Sequence, residues 1–284
     1  ICMITADKKN PNRLLARTCG VWQIQYYTEE WDDSSNAWGD HFFRSTDGGE
    51  SWINITPGQK WKEDGESYFV SRPIDPNGFE WIYAKSIHWG TSIVLDPRNP
   101  DKILMSSGNG IFNCDNIWDK KDVQFYFNPN GVEEVVAYDY FSVQGVNGYS
   151  AIADYDGFIH SNISEIGYQY KPNIGFTSVI YACRQNPKIM IRYGNENALY
   201  SEDGGKTWTK FPNSVGKGGR GAIAKIDDIY RIFHSNDTII NYSDDFGKTW
   251  TQSKGIEGTK DIGLLVEDKK PNIIYAVTVQ KGED

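Results

Sequence analysis

One eight-residue phrase occurs three times in this 284-residue chain and limits its fold more than any other feature. It reads STDGGESW at Ser45–Trp52, SEDGGKTW at Ser201–Trp208 and SDDFGKTW at Ser243–Trp250. Each copy is Ser-x-Asp-x-Gly-x-Thr/Ser-Trp, and Ser201 and Ser243 stand 42 residues apart. The short Asp carboxylate is placed to accept hydrogen bonds from the N–H groups of its own turn. The Gly two residues on permits the positive φ of a tight hairpin. The closing Trp is a large amphipathic plug suited to the gap between two packed sheets. A fixed period of roughly 40–45 residues built from short strands predicts the blades of a β-propeller. In that setting Asp47, Asp203 and Asp245 lie at the outer rim and are structural rather than catalytic.

A second phrase fills the space between these Asp-boxes: an apolar strand, Asp-x-x-Asn-Pro or a variant, and another apolar strand. It appears as ITADKKNPNRLLA from Ile4, IVLDPRNPDKILM from Ile93, YACRQNPKIMI from Tyr181 and LVEDKKPNIIYAV from Leu265. Pro ends the first strand because it lacks an N–H and restricts the residue before it. Reading each blade from its first strand puts blade starts at about residues 1, 91, 133, 177, 221 and 262. The first interval is about twice the others, so Thr56–His88 reads as an insertion, with Trp61, Tyr68, Trp81 and Tyr83 in it. Gln23–Asp40, which holds Tyr26, Tyr27, Trp31 and Trp38, reads as a second long loop. Aromatic-rich loops of this kind belong to a binding face. The sixth blade stops after two strands and the ring does not close, so the count predicts a piece of a longer protein or one partner of an assembly.

Composition agrees with an all-β chain and narrows the partners. Gly, Tyr and Trp are abundant (28, 17 and 10), and the net charge is −9. An acidic chain without a basic stripe argues against nucleic acid, and no apolar run is long enough to span a membrane. The four cysteines are widely spaced with no C-x-x-C, and no His, Asp or Glu cluster has ligand spacing, so neither a metal nor a cofactor is expected. Cys2 and Cys183 fall in apolar strand runs and read as buried free thiols.

Four ordered stretches resemble glycoside hydrolase family 74, the xyloglucan-cleaving enzymes built from two seven-bladed propellers. They are HFFRSTDGGESW (41–52), IHWGTSIVLDPRNPDKILMSSGNGIFNCDNIWD (87–119), GVEEVVAYDYFS (131–142) and YSAIADYDGFIHSNIS (149–164), followed by the Asp-box blade at 198–208. The resemblance implies that residues 1–130 are the last blades of an N-terminal propeller and 131–284 the first blades of a C-terminal one. It implies a secreted, extracellular enzyme of the endo-xyloglucanase type, hydrolysing a β-1,4-glucan backbone with inversion. Its partners would be the polysaccharide and the rest of the parent polypeptide or a second propeller.

The resemblance also implies site residues. The family sets one catalytic aspartate in a Gly-Asp-x-Gly-Gly-Phe segment of the C-terminal propeller. Here Ala153-Asp154-Tyr155-Asp156-Gly157-Phe158 matches it, which assigns Asp154 as general acid, protonating the glycosidic oxygen. Inverting enzymes hold their two carboxyls roughly 6.5–9.5 Å apart to admit the attacking water. Two departures stand out. Asp156 replaces the first Gly of the pair. The look-alike of the N-terminal aspartate segment, Ala16-Arg17-Thr18-Cys19-Gly20, carries Cys, so the chain would supply half an active site. For substrate binding the candidates are Trp89, Tyr155 and Trp22 as faces for pyranose rings, Glu134 from the matching Glu-Glu pair, and Asp156 as a modifier beside Asp154. Trp31 and Trp38 lie in a loop able to reach the cleft, and His88 and His160 read as structural. Without the resemblance, Asp154 reads first as a turn carboxylate capping local N–H groups, and the resemblance tips the reading toward catalysis. The competing function is a non-catalytic propeller that binds carbohydrate or protein. A sialidase is disfavoured, since the few arginines show no triad setting.

Overall fold

The computed structural model describes residues 1–30, 35–131, 135–142, 147–165, 167–195, 198–213, 215–236, 238–256, 259–266 and 270–280. The chain is all-β and forms two compact units, Ile1–Glu134 and Val135–Asp284.

The first unit holds two four-stranded antiparallel blades. One is β1 (Met3–Ala6), β2 (Leu14–Tyr26), β3 (Asn36–Ser45) and β4 (Ile53–Asn54). After it come a separate hairpin, β5 (Lys60–Glu63) and β6 (Glu66–Phe69), and a one-turn 3₁₀ helix at Glu80–Ile82. The other blade is β7 (Ile93–Leu95), β8 (Ile103–Ser107), β9 (Gly110–Cys114) and β10 (Tyr126–Phe127).

The second unit repeats the pattern three times. Its blades are β11 (Ala137–Ser142), β12 (Gly148–Ile152), β13 (Phe158–His160) and β14 (Tyr168–Gln169); then β15 (Thr177–Ala182), β16 (Met190–Gly194), β17 (Ala198–Ser201) and β18 (Thr209–Lys210); then β19 (Arg220–Ile226), β20 (Ile229–Asn236), β21 (Ile239–Ser243) and β22 (Thr251–Gln252). A two-stranded sheet, β23 (Thr259–Val266) and β24 (Ile274–Gln280), follows. The first strands β11, β15, β19 and β23 lie side by side. The second strands β12 and β16 are buried along their whole length, as expected of strands covered on both faces. Their apolar residues pack with Val179–Cys183, Ile223 and Ile232 into one core.

The three Asp-boxes share one hydrogen-bond net. The hydroxyls of Ser45, Ser201 and Ser243 each donate to the Asp two residues on, at 2.7–2.8 Å. The same oxygens accept the N–H of Gly49, Gly205 and Gly247 at 2.8–2.9 Å. Each Asp then accepts the amide of Ser51, Thr207 or Thr249 at 2.9–3.0 Å. The Trp plugs are not equivalent. Trp208 packs edge-on to Tyr170 of the preceding blade and Trp250 to Phe211. Trp52 stays exposed, its indole N–H donating back to the Gly49 carbonyl at 3.1 Å. The Asp-x-x-Asn-Pro phrase is also one structure: Asp7 and Asp96 accept the amides of Lys9 and Arg98 two residues on. Cys183, in the matching place, is buried.

Two expectations are corrected. At both ends of Gln23–Asp40 the described residues form strand rather than loop: Trp22–Tyr26 pairs with Asn36–Asp40 as a ribbon extending β2 and β3. As a ladder the two arms satisfy each other's backbone N–H and C=O groups. Cys2 is exposed rather than buried. β1 is covered on one face only, and Cys2 shares the open face with Ile4 and Ala6.

Candidate functional site

In the second unit the β12–β13 connection, Ala153–Gly157, is an unusual turn. The Tyr155 N–H donates to the Ala153 carbonyl and the Gly157 N–H to the Tyr155 carbonyl, both at 2.7 Å. These are two consecutive three-residue γ-turns, centred on Asp154 (φ 65°) and Asp156 (φ 63°). The positive-φ form of this turn is rare and strained, and Asp tolerates it better than most side chains. Gly157 is required by contact: a Cβ there would stand 1.9 Å from the Ser150 carbonyl oxygen.

Three neighbouring side chains of this turn go to different places. Asp154 is exposed at the apex of the first γ-turn. Tyr155 is 2% exposed, and burial, with the Asp154 charge beside it, pushes its phenol well above the ordinary range. Asp156 is 0% exposed and accepts the Ile174 amide at 2.9 Å. Neither Tyr155 nor Asp156 presents a face to solvent, so the surface for which both were candidates is reached here by Asp154 alone. The reason is the double γ-turn, which breaks the alternation of a strand and turns two successive side chains, Tyr155 and Asp156, into the blade.

The turn is tied to the end of β14 and the segment that follows it. Gln169 donates to the Tyr155 carbonyl at 2.9 Å and the Tyr170 N–H to the Gly157 carbonyl at 3.1 Å. From β16, the fully buried Arg192 guanidinium donates to the Pro172 carbonyl at 2.8 Å and lies over both the Tyr170 and Trp208 rings, 5.0 Å from each. Burial lowers Arg192 to about 10, opposed by the charge of Asp156. Asp139 on β11 went unmarked in the sequence. Burial pushes its carboxyl up while the amides of Tyr140 and Ile180 hold it down, a partnering that suits a structural carboxylate. A cavity of about 530 Å³ in this unit, lined by Tyr138, Phe176, Arg220 and Ile262, does not have Asp154 in its wall.

In the first unit the structure brings two of the sequence candidates together. Trp22 and Trp89 meet edge to face with ring centroids 6.5 Å apart, and His88 lies against both, 5.7 and 4.6 Å away. Trp22 is 41% and Trp89 67% exposed. Trp89 is not in a strand but in the segment before β7, at φ 52°. Trp38, 60% exposed, is the partner of Ile24 on the β2–β3 ribbon. The result is an open corner of two indoles, one able to stack on an apolar sugar face while the other walls its side. Glu134 and Trp31 lie outside the described residues. Among the described residues, no group of three His, Cys, Asp or Glu side chains is placed to hold a metal.

Known proteins resemble this chain in sequence and in fold. Residues 199–210 and 242–252 match the BNR/Asp-box repeat model. Xyloglucanase Xgh74A of Acetivibrio thermocellus is 27% identical over 253 residues, covering 78% of this chain and 27% of that protein. The oligoxyloglucan-reducing end-specific xyloglucanase of Emericella nidulans is 25% identical, covering 75% of this chain and 30% of that protein. The solved structure of a family 74 enzyme from Niastella koreensis superposes with a TM-score of 0.76 at 28% identity, over 96% of this chain and 37% of that one. The chain thus spans well under half the length of these relatives.

Proposed function

We propose that this chain, a member of glycoside hydrolase family 74, is part of an inverting hydrolase of xyloglucan-type β-1,4-glucan. Support comes from the likeness to xyloglucanases over most of the chain. The observation that carries the reading is Asp154, the exposed carboxyl at the apex of a strained double γ-turn. Strained backbone collects at functional sites, where surrounding structure holds it. In the proposed reaction Asp154 donates its proton to the glycosidic oxygen as the bond to the anomeric carbon breaks. A carboxylate from the rest of the polypeptide takes a proton from water attacking the opposite face. Trp22 and Trp89 hold pyranose rings by their faces. In this reading the two units are blades of successive propellers, and the protein works outside the cell, where such a polysaccharide is met.

The test is hydrolysis of xyloglucan by the full-length polypeptide beside its Asp154→Asn variant. Loss of a general acid should lower kcat by about 10²–10⁴-fold with the fold intact. Equal rates would remove Asp154 from the mechanism. A non-catalytic, carbohydrate-binding propeller is the second reading. It is favoured by Cys19, exposed where the look-alike segment would need a carboxylate. Saturable oligosaccharide binding with no reducing ends released would establish it.

A further inference from the structure

The Trp22–Trp89 corner joins two segments that no strand ladder connects. Trp22 belongs to β2, whereas Trp89 follows Ile87 and His88 in an irregular stretch. Left loose, that stretch would have to be ordered on each binding event, which opposes affinity. Two single main-chain bonds, from the Asp40 N–H to the Ile87 carbonyl at 2.9 Å and from the Gly108 N–H to the His88 carbonyl at 2.8 Å, are joined there by side chains that grip both N–H and C=O. Gln25, fully buried, accepts the Ile87 N–H at 2.7 Å and donates to the Ile87 carbonyl at 3.0 Å and the Asp40 carbonyl at 3.0 Å. The Ser107 hydroxyl does the same one residue on, accepting the His88 N–H and donating to the His88 carbonyl, both at 3.1 Å. Both residues ahead of Trp89 are thus gripped at their N–H and their C=O.

Behind this clamp lies a buried ion pair. Arg17 and Asp40, both 0% exposed, meet at 2.8 Å. The free oxygen of Asp40 accepts the Gly20 N–H at 2.9 Å, two residues before Trp22. Arg17 donates to the carbonyls of Ser106 and Ser92 at 2.8 and 3.2 Å, on the Trp89 side. The backbone passes so close that a Cβ on Gly90 would stand 1.8 Å from the Ser106 carbonyl oxygen and 2.6 Å from the guanidinium. One pair therefore anchors the segments of both indoles, and its hydrogen bonds are complete enough to make burial tolerable.

We propose that Gln25 and Ser107 are positioning residues that hold the Trp22–Trp89 corner assembled before a sugar ring arrives. The inference rests on reading that corner as a sugar platform. Neither residue touches the open face of the indoles; each acts through the backbone of residues 87 and 88.

A close edge-to-face indole pair gives an exciton couplet in far-ultraviolet circular dichroism. Trp22→Phe and Trp89→Phe identify it in this chain by its loss. Ser107→Ala and Gln25→Glu should each weaken the couplet while the sheet signal and cooperative melting persist, and Ser107→Thr, which keeps the hydroxyl, should restore it. Affinity for a xyloglucan heptasaccharide should fall about tenfold in both weakened variants, a loss of about 1.4 kcal/mol. If Gln25→Glu does not fold, the Ser107→Ala and Ser107→Thr comparison decides alone. A full-strength couplet in folded Ser107→Ala would overturn the proposal. If the wild type does not bind the heptasaccharide, the platform reading falls, and the couplet still decides whether the clamp sets the indole pair.

Discussion

Asp154, Tyr155 and Asp156 are consecutive in sequence and have little in common in space. A strand pattern would put the first and third on one face, yet the two γ-turns leave Asp154 in solvent and bury Asp156 completely. Asp156 anchors the Ile174 amide, and Arg192 anchors the same segment at Pro172. Together they form the floor beneath the Asp154 turn. Arg192→Met would keep the packing between Tyr170 and Trp208, lose the bond to Pro172 and withdraw the cation that acts on Asp156. We expect a destabilisation of about 3 kcal/mol, read from the denaturant midpoint. Arg192→Lys should recover little of it, because an ammonium cannot match a planar guanidinium lying over two rings. An unchanged midpoint in Arg192→Met would remove the floor from the argument. The position of Asp154 was legible from its segment, but the burial of its neighbours was not, since burial depends on residues 169–174 and on β16.

The Asp-box is the element most fully legible in the chain, because nearly all of its bonds are made within eight residues. Its aspartates should show in the pH dependence of stability. The Thr249 amide and hydroxyl, with the Ser243 hydroxyl, pull Asp245 down to about 2. Slight burial pushes Asp203 up, but the Thr207 and Ser201 hydrogen bonds outweigh it and hold it at about 2. A carboxyl depressed in the folded state stabilises fully above its unfolded pKa of about 3.9, and the contribution is lost as pH falls toward the folded value. The melting temperatures of the wild type and of Asp245→Asn should therefore differ above about pH 4 and converge toward about pH 2. A constant gap across that range would show that the carboxylate does not act through its charge. The ribbon of β2 and β3 was less legible at this scale. Its polar, aromatic residues resemble a binding loop, and only the register of Trp22–Tyr26 against Asn36–Asp40 makes it a strand pair.

At the scale of the whole molecule, the proposed chemistry needs two carboxyls separated by a water. Hydrolysis by the full-length polypeptide should then release the α-anomer first from a β-linked substrate, followed by proton NMR before mutarotation. First appearance of the β-anomer would indicate retention, and with it carboxyls roughly 5–5.5 Å apart and a covalent intermediate. Both units are assembled from the same small device, a four-stranded antiparallel blade, and in the second unit the second strands β12 and β16 are buried along their whole length.

The order of residues by itself determined the all-β blades, their period and the turns that close them, because those depend on hydrogen bonds between residues a few positions apart. It also marked Asp154, Trp22 and Trp89. Only the tertiary structure decided that Trp22 and Trp89 form one corner, and that Gln25, Ser107 and the Arg17–Asp40 pair stand behind it. Those contacts join residues up to 89 positions apart, and a polar side chain buried for such a purpose has no local pattern to announce it. Long-range packing, which sets burial and brings distant backbone carbonyls together, is the physical reason for the difference.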